Sequence, residues 1–136
     1  MDVLGSKQAN SGYEQEIQSA TIKRGKTKLF FFSATRPSGT AAGKNFIWDD
    51  SDTGGLNDGY KVKWFKGKKV NRKKDITSKT RGAGHPFTLA VEQTKYFTAK
   101  VTAKDNGSAL CLVGRAEEQT FPYSDAAAFQ INGVCV

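Results

Sequence analysis

Histidine, methionine and cysteine are nearly missing from this sequence: one, one and two residues in 136. Two cysteines, Cys111 and Cys135, are too few for a disulfide framework, and with a lone histidine they exclude a Cys/His zinc cluster. That histidine, His85, precedes Pro86 in a glycine-rich loop, and nothing local to it suggests a nucleophilic triad. No Walker loop or dinucleotide fingerprint is present. No apolar run approaches the roughly 20 residues of a membrane helix. The N-terminus, Met1 to Gln8, lacks the charged start and apolar stretch of a secretory signal, so the expected location is cytoplasmic. These absences point away from an enzyme, and no catalytic residue, metal or cofactor is expected.

Acidic residues are also outnumbered, 13 to 21, and the imbalance is local. Between Lys61 and Arg81 stand eight lysines and two arginines against one aspartate, Asp75. The whole net charge of +8 is contained in that segment. A field so localised steers an acidic partner.

What the chain does have is short alternating runs rich in phenylalanine. Residues 1–20 are polar and without clear period, and residues 1–27 read as a flexible leader whose first 20 residues are dispensable for stability. From there residues 28–136 read as one domain. Leu29-Phe30-Phe31-Phe32 is an apolar run suited to a buried strand, and Phe46-Ile47-Trp48 a second. Tyr60, Val62 and Trp64 alternate with Lys61 and Lys63 in the period of a half-buried strand. Val70 and Ile76 mark an edge strand whose lysines discourage aggregation. Phe87 to Val91, Tyr96 to Thr102, Ala109 to Val113 and Ala127 to Gly133 supply further strands. Asp105-Asn106-Gly107 has the chemistry of a tight turn, and Glu117 to Tyr123 reads as a polar loop. Eight short strands without a long helix predict an all-β fold, an antiparallel β-sandwich. Its expected core contains Trp64, Phe97, Val101, Cys111 and Phe129. Cys111 and Cys135 fall on neighbouring strands of one hairpin, where a cross-strand disulfide is geometrically open. A cytoplasmic setting predicts free thiols instead, with Cys111 a small core residue.

Three pieces resemble an immunoglobulin-superfamily domain of the intermediate set. Val62-Lys63-Trp64-Phe65-Lys66-Gly67-Lys68 is similar to the strand carrying the core tryptophan, notably in the immunoglobulin domains of myosin-binding protein C. Asp105-Asn106-Gly107-Ser108-Ala109-Leu110-Cys111 resembles the corner before the strand with the second cysteine, and Ala128 to Val134 the terminal strand. The resemblance implies an immunoglobulin-like sandwich and a role in protein docking.

The candidate site is the basic run: Lys61, Lys63, Phe65, Lys66, Lys68, Lys69, Arg72, Lys73, Lys74, Lys79 and Arg81. Phe65 is its expected exposed aromatic. The partner expected is an acidic protein surface or filament. The alternative is nucleic acid, with the chain as a small viral or phage coat component that assembles with copies of itself. The loop with Asp49, Asp50, Asp52 and Asp58 has a faint calcium-loop spacing, but it lacks the downstream glutamate of such a site. An enzyme would instead show a deep pocket at His85 with converging acids.

Overall fold

Alternation assigns the inner face of each strand. In β2 (Thr27–Thr35) Phe30, Phe32 and Ala34 are buried, and in β4 (Tyr60–Lys66) Tyr60, Val62 and Trp64 are. β6 (Thr94–Ala103) adds Phe97, Ala99, Val101 and Ala103 on the same side. These three strands form one antiparallel sheet in the order β2-β6-β4. The second sheet has the order β1-β8-β7-β3-β5, built from β1 (Ile17–Ala20), β3 (Asn45–Asp49), β5 (His85–Thr88), β7 (Leu110–Glu118) and β8 (Ser124–Ile131). The computed structural model describes residues 17–36, 45–50, 59–105, 109–119 and 124–133. Among these, the two sheets make an all-β sandwich, and no helix is long and apolar enough to cross a membrane.

Aromatic rings interdigitate between the sheets. Trp48 from β3 stacks on Phe97 from β6 with centroids 4.2 Å apart and planes within 6°. Trp48 also meets Trp64 edge-on at 5.7 Å and Phe32 at 5.6 Å. Phe129 of β8 closes the other end against Phe30 and Phe32. Burying each large ring contributes about 1.5–3 kcal/mol, and favourable ring geometry adds to that. Gly114, on the inner side of β7, makes room for the Trp48 ring, which a Cβ there would overlap.

Several expectations change. Each connection from β1 to β7 passes from one sheet to the other, and only β7 and β8 form a sequential hairpin. β6 and β7 lie in different layers, so the chain passes between sheets after Asp105; Asn106 and Gly107 of the expected turn lie outside the described residues. The strand with Trp64 and the strand with Cys111 are also in different sheets, whereas in the immunoglobulin order the corresponding strands share one. Within the expected leader, β1 pairs in parallel with β8, Ile17 opposite Ala128 through Ala20 opposite Ile131, and Ile22 is buried in the core. The leader therefore stops short of Ile17, and residues 1–16 lie outside the described residues.

Glu117 and Glu118 end β7 instead of opening a loop. Cys111 faces away from the main core and packs with Val113, Ala126 and Ala128 on the opposite side of the same sheet. It is disulfide-bonded, not a free thiol. Cys135 is the chain's only other cysteine and lies outside the described residues. Val70 is exposed and Ile76 leads into a helical turn, so no edge strand forms there.

Candidate functional site

The register of the three-stranded sheet places its outward residues in rows. Thr27, Thr102 and Lys61 form one row, and the first two share a hydroxyl hydrogen bond of 2.8 Å. Leu29, Lys100 and Lys63 form the next, then Phe31, Thr98 and Phe65. Tyr96 opposite Ser33 completes the face. Lys61 is exposed and Lys63 and Lys100 are half-buried, with Lys63 directly opposite Lys100. Phe31 is 53% exposed, and Leu29 and Tyr96 are each 38% exposed.

The rest of the basic run leaves β4 and returns along its edge. Gly67, at a φ of 85°, turns the chain. Its N–H donates to Tyr96 O at 2.7 Å, and its carbonyl accepts from Thr98 Oγ1 at 2.7 Å. This holds Lys68 so that its Nζ lies 4.0 Å from the Tyr96 ring centroid, a cation–π contact. Asn71 caps a single 3₁₀ turn, Arg72–Lys74, by accepting from Lys73 N–H at 3.0 Å. Arg72, Lys73 and Lys74 are exposed on it, and Lys69 is exposed before it.

Next comes α1 (Thr77–Arg81), which covers the open edge of β4. Ile76 N–H donates to Trp64 O at 2.8 Å, and Trp64 N–H donates to Thr77 Oγ1 at 2.9 Å. A helical turn thus does the edge-covering work expected of a lysine-rich strand. Asp75 donates nothing to the positive field but trims it. Its carboxylate accepts from Thr77 N–H at 2.9 Å, and hydrogen bonds from Thr77, then the charge of Lys63, hold its pKa below 3.8.

Two of the expected site residues serve elsewhere. Phe65 is 4% exposed, and the returning segment forms a backbone bridge to it at Asp75. Arg81 donates to Val62 O at 3.2 Å and stands 3.9 Å from Asp50, bracing α1 on β4. Lys61, Lys66, Lys68, Lys69, Arg72, Lys73, Lys74 and Lys79 are exposed. The exposed aromatics of the face are Phe31 and Tyr96, which sequence reasoning missed. The signal was present: taking Phe30 and Phe32 inward sends Leu29 and Phe31 outward. Lys100 follows from the same alternation in β6.

The acidic loop is divided among internal tasks. Asp49 receives Arg115 at 3.1 Å, directly across from it on β7, and Asp50 accepts from Trp64. Asp52 and Asp58 lie outside the described residues. Among the described residues no group of three His, Cys, Asp or Glu side chains is placed to hold a metal. At His85 there is a cleft, but Lys66, Lys74 and Lys95 line it rather than acids.

No protein-family model matches the chain, and no curated protein does. Among solved structures, the N-terminal domain of PorA matches with a TM-score of 0.50 at 11% identity, over 88% of this chain and 90% of that one. AvmM, which catalyses macrocyclization in alchivemycin A biosynthesis, matches with a TM-score of 0.38 at 10% identity, over 86% of each chain. The likeness to AvmM is too distant to support any statement about activity, and the likeness to the PorA domain is one of fold alone.

Proposed function

We propose that this chain is a non-enzymatic binding module that docks an acidic partner on the outer face of the three-stranded sheet and the basic segment beside it. The observation that carries this reading is Lys63 standing directly opposite Lys100. Like charges in that register destabilise a sheet. An anion bound over them turns the same charges into a favourable contribution. Leu29, Phe31 and Tyr96 expose apolar surface in the midst of these cations, which a merely solvated charged edge does not require.

Of the partner classes, single-stranded nucleic acid gains most from this combination. Bases stack on exposed rings while lysines follow the phosphates. An acidic protein surface is the second reading, supported by the lysines but not by the rings. The disulfide at Cys111 suits an oxidising compartment better than the cytoplasm.

Amide chemical-shift mapping with oligothymidylate and, separately, with polyglutamate tests the proposal. Saturable shifts at Phe31, Lys63, Tyr96 and Lys100 with oligothymidylate are expected. Stronger saturable shifts there with polyglutamate would transfer the assignment to an acidic protein. If neither polymer moves these residues, the face is a solvated surface and the proposal is wrong.

A further inference from the structure

We propose that the cleft beside His85 binds a small anion that carries a flat apolar group. This site shares Tyr96, Lys66 and Lys74 with the docking surface proposed above, and His85, Pro86, Phe87 and Lys95 set it apart. The cleft has a volume of about 750 Å³, within the range of about 300–1,000 Å³ typical of small-molecule sites. Its lining comes from β3, β5 and β6 and from the segment that leaves β4. Its apolar side exposes Pro86 and the ring of Tyr96, which is 38% exposed, together with the buried rings of Phe46, Phe87 and Phe97. Such a wall accepts a planar ring by stacking.

Lys66, Lys74 and Lys95 supply positive charge from three different segments, and no carboxylate is among the lining residues described. Three lysines around one half-enclosed space make its potential positive, and an anion bound there is favoured by that field. His85 lines the cleft as a neutral ring. Burial, followed by the charges of Lys66, Lys79 and Lys95, pushes its pKa below 6.5. Its Nδ1 is buried and has no hydrogen-bond partner among the described residues. A neutral imidazole in this position offers a polar contact to the ligand without adding to the charge. Thr88, Thr94 and Gln119 offer further hydrogen bonds around the rim. The chemistry selects a ligand with both parts, an aryl phosphate or aryl carboxylate. It disfavours a bare inorganic anion, which leaves Pro86 and Tyr96 wet, and a neutral arene, which leaves the lysines without an anion.

The test uses naphthyl phosphate, with inorganic phosphate and naphthol as half-ligands, titrated calorimetrically into the full chain. Binding sites are located by amide shifts. Naphthyl phosphate is expected to bind one to one, at least about tenfold more tightly than either half, with shifts at His85, Phe87 and Lys95. Lys95→Gln, which leaves Lys63 and Lys100 untouched, should weaken it by about tenfold, as loss of a charged hydrogen bond does. Thermal melting confirms that the variant is folded. Equal affinity for naphthol, unchanged affinity in a folded Lys95→Gln variant, or shifts confined to Phe31, Lys63 and Lys100 would each overturn the cleft assignment. The first two outcomes leave the proposed role of the sheet face standing.

Discussion

Trp64 donates its indole N–H to Asp50 Oδ2 at 2.8 Å inside the sandwich, joining β4 to the residue that follows β3. A buried indole usually finds such a partner, although among the described residues that of Trp48 has none. The carboxyl group is itself disfavoured there as an anion: burial raises its pKa above 3.8, against the lowering effects of the Trp64 hydrogen bond and of Arg81. Over a window above pH 3.8 the native protein therefore holds a proton that the unfolded chain has released, so stability falls as pH rises through that window. Asp50→Asn is neutral at every pH and keeps an oxygen for Trp64. It should remove this component from the pH profile of denaturant stability. Asp50→Ala, which leaves the indole N–H unpaired, should cost about 1–3 kcal/mol at neutral pH. An Asp50→Asn profile superimposable on the wild type would contradict the assignment.

Gly114 and Trp48 form a matched pair. A Cβ at Gly114 would overlap the Trp48 ring and come within 2.9 Å of Phe32 Cδ2. Trp48 cannot retreat, because it is stacked on Phe97 on its other side. Gly114→Ala should therefore destabilise the fold by about 1–3 kcal/mol, the usual effect of overpacking. A variant as stable as the wild type would mean that the stack yields more easily than its geometry indicates.

Asn132 ties the start of the described chain to its end. Its Oδ1 accepts from Ile22 N–H at 3.0 Å, and its Nδ2 donates to Ile22 O and to the Tyr60 hydroxyl at 2.8 Å each. Asn132→Ala should cost about 2–3 kcal/mol, at about 1 kcal/mol for each hydrogen bond. Deleting residues through Ala20 removes β1 and should also lower the melting temperature, contrary to what the polar leader suggests from sequence. Equal melting temperatures for the full chain and this truncation would restore the leader reading.

The sandwich was legible wherever one strand buries one face. Tyr60 to Phe65 has that period, and so do Phe97 to Val101. Phe65 was misread because it is buried although it falls on the outer side of β4, and the chain that bridges to it at Asp75 returns by a path alternation does not encode. Leu29 to Phe32 was misread as buried on both sides because four apolar residues in a row hide their own alternation. β1 escaped notice because its partner, β8, lies more than a hundred residues later. The sheet order was not legible either, since it depends on links that pass between layers. The location of the positive charge was plain in the sequence, but not its sorting. Arg81 became a brace, and Lys95 in the cleft and Lys100 on the sheet face add positive charge from outside the basic run.

The sheet face faces its most direct test in fluorescence anisotropy of labelled oligothymidylate, titrated with the wild type and with Lys63→Gln/Lys100→Gln across a series of salt concentrations. Binding should weaken as salt rises. Each phosphate neutralised on a single strand contributes about −0.7 to the slope of log affinity against log salt. Removing two cations should therefore flatten the slope by about 1.4 and weaken binding at low salt, with melting temperature held or raised because the Lys63–Lys100 repulsion is gone. Phe31→Ala should weaken binding by about 1–3 kcal/mol without changing the slope, as loss of one stacked base does. A folded double variant with the wild-type affinity and slope would contradict the account.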